Sequence, residues 1–216
     1  MNRSSRLTVV AGLLAATAVP AHSATVQRLT SRGAQAGSPA AGADVNPADV
    51  AFMSGMIPHH AQAVLIAGWA ASHGARKDVA VLCERIVVGQ RDEIGLMQYW
   101  LKEHGQPVPD AKSTHMTMKM DGMQHDMLMP GMLNDEQLAE LDKARGSDFD
   151  RLFLQAMIAH HQGAITMVNE LLASPGAAQD DVVYRMSSDV YADQTTEIER
   201  MGKMLATVPP PAGRAP

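Results

Sequence analysis

Two stretches of this chain, about a hundred residues apart, carry the same pattern. Asp49, Phe52, Met56, Ile57, His59, His60 and Ala63 recur 101 residues later as Asp150, Phe153, Met157, Ile158, His160, His161 and Ala164. A second set, Gln90, Glu93, Ile94, Met97 and Leu101, recurs 104 residues on as Gln194, Glu197, Ile198, Met201 and Leu205. Such self-similarity marks a duplicated structural unit. Within each set the apolar residues are spaced mostly by three and four, the period of one helix face. The unit is therefore a helical hairpin, and two of them build a four-helix bundle.

The punctuation agrees. Asn46-Pro47 supplies an N-cap and a first-turn proline, and Asp49 sits where a carboxylate favours the positive end of a helix. The spacing predicts helices over 47–73, 76–104, 147–173 and 179–206, with a short helical segment over 135–144. Gly74, Gly105-Gln106-Pro107 and Ser174-Pro175-Gly176 separate them. Helices of about 27 residues run to about 40 Å. We read no alternating strand pattern, so the expected class is all-α: an antiparallel four-helix bundle over 46–206, its halves joined by a long connection over 105–146.

At the N-terminus, Arg3 and Arg6 precede an uncharged run of 13 residues that ends at Pro20-Ala21-His22-Ser23-Ala24. The run is short of the roughly 20 residues a spanning helix needs. It reads as a bacterial-type secretory signal, residues 1–23, cleaved near Ser23. A periplasmic or otherwise exported protein, with no membrane attachment after cleavage, is the expectation. Residues 24–45 read as a flexible linker and 207–216 as a disordered tail.

Composition narrows the function. Eighteen Lys and Arg against 23 Asp and Glu leave a net charge of -5, so no positive field exists to hold nucleic acid. The single cysteine, Cys83, allows neither an internal disulfide nor a multi-thiolate metal site. It reads as a small buried hydrophobe or, beside a soft metal ion, an extra ligand. There is no glycine-rich phosphate loop and no Gly-x-Ser-x-Gly, so no enzyme is expected; the surviving enzymatic alternative is a metal-centred oxidase.

The outlier is methionine, at 16 residues. On a helix, His59 and His60 each lie one turn from Met56, and Met157, His160 and His161 repeat the trio. Pro58 frees a carbonyl one turn earlier, while the second copy has Ala159. Met53, Met56, His60, Ala63, Ala67 and Ala70 also have the spacing of a bundle seam. Paired imidazoles near a core, however, must find partners or a metal. Carboxylate di-iron bundles use Glu-x-x-His, and no Glu precedes a histidine at that spacing here. Thioether with imidazole selects copper as Cu(I), and also Ag(I), over oxygen-preferring metals, and zinc stays an alternative for the imidazoles alone. Glu93 and Glu197 read equally as acceptors that orient a histidine and as surface charges.

The connection adds an independent signal. Residues 115–132 hold His115, Met116, Met118, Met120, Met123, His125, Met127, Met129 and Met132, seven methionines and two histidines in 18 residues. Thr, Lys, Asp, Gln and Gly between them provide no large apolar face, so core packing does not explain the run. Soft-metal binding does, and an adaptable protein-contact loop of a helical adaptor is the competing reading.

With these residues in view, the pattern Asp49-x-x-Phe52, Met56-Ile57-Pro58-His59-His60, Met157-Ile158-Ala159-His160-His161 and the trailing Gln-x-x-Glu-Ile-x-x-Met segments resemble the CopM-like family, long filed as a domain of unknown function. The resemblance covers about 46–206. It implies a ferritin-like bundle in an exported protein and copper binding with copper tolerance. Ligand roles carry over to Met56, His59, His60, Met157, His160 and His161. The partners this implies are copper ions and other exported copper-handling proteins. His73 and His104 read as helix C-terminal caps, and Trp69, Trp100, Phe52, Phe149 and Phe153 as packing.

Overall fold

A computed structural model describes residues 45–120 and 123–209; the signal and nearly all of the linker read from the sequence, and residues 210–216, lie outside them. Asn46 caps the first helix by accepting from the Ala48 amide at 2.9 Å, with Pro47 at its first position. That helix, α1, spans Pro47–Ala67; α2 spans Lys77–Glu103. A two-stranded ribbon follows, β1 (Met116–Met120) and β2 (Met123–Met127), then the short α3 (Asp135–Lys143). The second hairpin is α4 (Ser147–Ala173) and α5 (Asp181–Leu205). Asn134 and Gln137 start α3 with a reciprocal capping box, and Asp180 caps α5 by accepting from Val182 and Val183.

Helix α1 packs along α2 and α4 along α5, and the two hairpins meet through α1 and α4. These two are the inner helices. α1 is buried almost all round, which is why its sequence is apolar without a polar face. Two apolar clusters fill the interior. One gathers Phe52, Met56, Met97, Trp100 and Met167. The other gathers Leu82, Phe149, Phe153, Met157 and Met201.

The repeated aspartates turn out to be clamps between the hairpins. Asp49 accepts from the amide of Ala178, in the α4–α5 turn, at 2.7 Å. Its counterpart Asp150 accepts from the amide of Arg76, in the α1–α2 turn, at 3.2 Å. Each inner helix thus holds the turn of the other hairpin. Burial pushes both carboxyls above the ordinary aspartate range.

Two features differ from the sequence reading. α1 stops at Ala67 rather than continuing to residue 73, and 68–74 form turns that bring the His73 carbonyl to the Gly146 amide at 2.8 Å. Gly68, a poor helix former, stands where α4 has Asn169, and α4 runs on to Ala173. The connection is not strand-free. Met116 pairs with Met127, Thr117 with Asp126, Met118 with His125, Lys119 with Gln124 and Met120 with Met123, antiparallel. The alternation Met-Thr-Met-Lys-Met was the period-2 signal, obscured because methionine carries no strong strand preference. Beyond α5, Thr207 receives a hydrogen bond from the Arg76 guanidinium at 2.9 Å and Val208 is buried.

Candidate metal centre

Neighbouring residues on a helix point about 100° apart, so a His-His pair cannot aim both rings at one place. His59 on α1 faces His160 on α4, and their ring centroids lie 3.9 Å apart. His60 turns toward α2, where its Nε2 lies 2.8 Å from Glu93 Oε2. His161 turns toward α5, where its Nε2 lies 2.7 Å from Glu197 Oε2. Within each pair the rings are 6.2 and 6.3 Å apart. The four imidazoles therefore form a row, His60, His59, His160, His161, across the middle of the bundle. All four are completely buried.

The partners of this row determine its chemistry. Pro130 presents a backbone carbonyl 3.0 Å from His59 Nε2. A carbonyl or a carboxylate only accepts, so the Nε2 of His59 and of His161 carries the proton, and neutral rings then bear a bare lone pair on Nδ1. The His60–Glu93 contact has the distance but not the angles of an aligned hydrogen bond, and it favours the same tautomer. Nδ1 of His59, His60 and His161 has no partner, and neither ring nitrogen of His160 has one. Burial holds His59 down to about pKa 3, assisted by the neighbouring His60, and places His160 well below the ordinary imidazole value. The result is a set of buried imidazoles whose Nδ1 atoms have no partner, the inner two, His59 and His160, held neutral by burial and the outer two each beside a carboxylate, as metal-bound histidines usually are.

The remaining sequence-derived candidates are distributed around this row. Met56 and Met157 are fully buried, each in a different apolar cluster. Among the described residues no three His, Cys, Asp or Glu side chains converge closely enough to hold an ion by themselves. His115 is turned elsewhere, with Thr114 Oγ1 at 3.1 Å and Asp135 Oδ1 at 3.6 Å. In the ribbon, the pairing register sets Met116 opposite Met127, Met118 opposite His125 and Met120 opposite Met123, so these six positions share one face. Cys83 is buried in the second cluster and its thiol is pushed up to about 12, chiefly by burial. His104 Nδ1 lies 2.8 Å from the Trp100 carbonyl near the end of α2, where a cap belongs. His73 lies beyond α1 and contacts Asp142.

What the sequence did not reveal is the segment that crosses the row. Residues 129–133 form a strap against α1 and α4. Gln62 grips it twice, donating to the Leu133 carbonyl at 2.9 Å and accepting from the Leu133 amide at 2.7 Å. Gly131, at φ 78°, passes so close to α4 that a Cβ would strike the Ala159 carbonyl. At Gly163 a Cβ would overlap the Pro130 carbonyl. The strap brings two sulfurs inward. Met129 Sδ lies 3.3 Å from where a Cβ on Gly55 would be, and Met132 Sδ accepts from the Met129 amide at 3.3 Å. A signal for it was the mismatch of Gln62 with Gly163, which stands beside Pro58/Ala159 and Ala61/Gln162 as the three differences between residues 56–63 and 157–164.

The domain-of-unknown-function family DUF305 matches residues 49–205. This chain belongs to the DUF305 family. Among solved structures, the DUF305 fragment of Deinococcus radiodurans has 27% identity and TM-score 0.61, covering 75% of this chain and 97% of that one. A DUF305 protein of Streptomyces coelicolor, named for secretion, has 25% identity and TM-score 0.61, covering 74% and 92%. CopM in its Cu(II)-bound form has 26% identity and TM-score 0.57, covering 73% and 95%, and CopM has also been solved with Cu(I) and with silver. Among curated proteins no sequence matches this chain. The four-helix bundle expected from the repeat, in the ferritin-like form that the resemblance implied, is thus a family architecture.

Proposed function

We propose that this DUF305 protein is an exported copper-binding protein that sequesters or hands on Cu(I), with Ag(I) as a mimic, and so contributes to copper tolerance. The observation that carries this reading is the buried row of imidazoles whose Nδ1 atoms have no partner. A buried nitrogen acceptor left alone costs about 1–3 kcal/mol, and a coordinated ion removes that cost. Cu(I) accepts few donors and favours thioether with imidazole, which suits a row of paired rings touched by the strap that carries Met129 and Met132. The copper- and silver-bound CopM structures support the same reading.

Within this reading His59, His60, His160 and His161 are the inner ligands, and Met56 and Met157 stand one turn away on the same helices. Met116, Met118, Met120, Met123, His125 and Met127 on one ribbon face, together with His115, Met129 and Met132, form an outer soft-donor set that loads or holds further ions. The proposal is binding and transfer, with no turnover. Export and cleavage near Ser23 place it outside the cytoplasm, with other exported copper-handling proteins as its partners.

The test is anaerobic competition for Cu(I) against a coloured chelator, with Fe(II) and Zn(II) in parallel. Tight uptake that falls in His59→Ala/His160→Ala, and falls separately when residues 115–127 are deleted, supports both donor sets. Failure to compete for Cu(I) overturns the proposal. Oxygen consumption on addition of Cu(I) or Fe(II) would instead establish the oxidase alternative.

A further inference from the structure

A row of completely buried imidazoles needs a way in for whatever it binds, and most of its surroundings are closed. Along α1 the first apolar cluster reaches Ile57 and Ala61 and the second begins at Ala63; along α4 the second reaches Met157 and the first resumes at Ala164. The row therefore lies between two apolar plugs, and an ion crossing either would shed its water with no counter-charge to replace it. On the α1–α4 side the strap covers it, with the Pro130 carbonyl on His59 and no room for a Cβ at Gly163. Each hairpin is packed along its own length.

The side between the outer helices is different. There α2 and α5 scarcely touch, and a crevice of about 290 Å³ opens between them. Glu93 and Glu197 line this crevice and also reach the row, with Oε2 atoms 2.8 Å from His60 Nε2 and 2.7 Å from His161 Nε2. The two histidine side chains are fully buried, whereas those of Glu93 and Glu197 are 20% and 26% exposed. Each carboxylate thus meets solvent on one side and an imidazole on the other. With Asp193 they outnumber Arg85 and Arg200 on the same walls, a charge balance that draws cations in.

We propose that the α2–α5 crevice is the port through which Cu(I) enters and leaves the histidine row, with Glu93 and Glu197 passing the ion between water and the outer histidines. The port rests on the copper reading of the row and adds to it a direction of transfer: a donor or acceptor of the ion docks over α2 and α5, opposite the strap. The crevice is a passage and holds no ion at rest. Its counterpart on the other face is shut by backbone packed on backbone, which no side-chain rotation opens.

Gly89 lines the same crevice, and a Cβ added there meets nothing within 4 Å, so Gly89→Trp fills the port and leaves every proposed ligand in place. Stopped-flow exchange of Cu(I) with a coloured chelator, followed in both directions, is the test. A port is crossed on the way in and on the way out, so loading and release are both expected to slow about tenfold or more while the equilibrium affinity is unchanged. Gly89→Cys, alkylated after folding with a bulky maleimide, installs the plug in a bundle already formed, with a small alkylating reagent as the control. Cys83 is spared, being buried with its thiol pushed up to about 12. Exchange rates that survive both plugs, in a protein that still binds Cu(I) tightly, overturn the port and leave the copper reading standing. Faster loading in Gln62→Ala, with no effect of the plugs, also overturns it and moves the entrance to the strap. A protein that takes up no Cu(I) overturns both.

Discussion

Helices α1 and α4 match one another where they face the histidine row and diverge one turn later. Both carry Met-Ile-x-His-His, both send the first histidine to the other hairpin and the second to a glutamate on their own. Then α1 has Gln62, which grips the strap, and α4 has Gly163, which lets it pass. A duplicated hairpin can obey a twofold relation, but the one chain segment joining its halves cannot. Gln62 and Gly163 differ where that single segment crosses, and the histidines match where an ion would be shared.

The largest effect expected from this comparison is on the metal-free protein in acid, and it treats both copies alike. His59 and His160 are held below their unfolded pKa of about 6.5, so the unfolded chain binds more protons and stability falls as pH falls. Stability is unaffected by these two rings above about pH 6.5. It declines below that, each ring contributing up to about 1.4 kcal/mol per pH unit, until His59 titrates in the fold near 3. Asp49 and Asp150, pushed up by burial, act in the opposite sense toward the acid end. Urea midpoints from pH 8 to 4, repeated with His59→Gln/His160→Gln, measure the slope and whether it flattens.

Substitutions in the strap break the symmetry. Gly163→Ala drives a Cβ into the Pro130 carbonyl, backbone against backbone, and is expected to cost about 3 kcal/mol, or about 6–12 °C in Tm. An unchanged melting curve would show that the strap is not seated there. Gln62→Ala leaves the buried amide and carbonyl of Leu133 unpaired, a loss of about 2 kcal/mol by chemical denaturation. Since α4 has no equivalent contact, alanine at the neighbouring exposed Gln162 is expected to change stability by less than about 0.5 kcal/mol.

Two smaller effects sharpen the comparison from the symmetric side. Glu93→Gln and Glu197→Gln each remove a carboxylate behind a histidine, and each is expected to weaken copper affinity about 10- to 100-fold. Equal losses support a shared row, whereas a loss in one half alone assigns the ion to that half. A small effect of the opposite sign is Gly89→Ala, in open space on α2, which should raise stability by about 0.5–1 kcal/mol in a thermal melt.

Much of the fold was legible because it is written in local periodicity. Asn46 and Pro47 start α1 as expected, and α4 has the predicted limits of 147–173. Local signals failed where distant segments decide. Gly68 weakens the helix after Ala67, but no local residue foretells that the turn delivers the His73 carbonyl to the Gly146 amide. Asp49 looks like a helix-end charge until Ala178 is brought to it from 129 residues away.

For the site, the sequence alone determined which donors exist: imidazole pairs on two inner helices, thioethers in excess, and no carboxylate at the di-iron spacing. Residue type and spacing are properties of the chain itself. The tertiary structure decided which donors meet. It turned each His-His pair into two different environments, left the Nδ1 atoms bare, and laid the strap across them. Those outcomes depend on the angle between helices and on the path of one connection, and neither is recorded in any local run of residues.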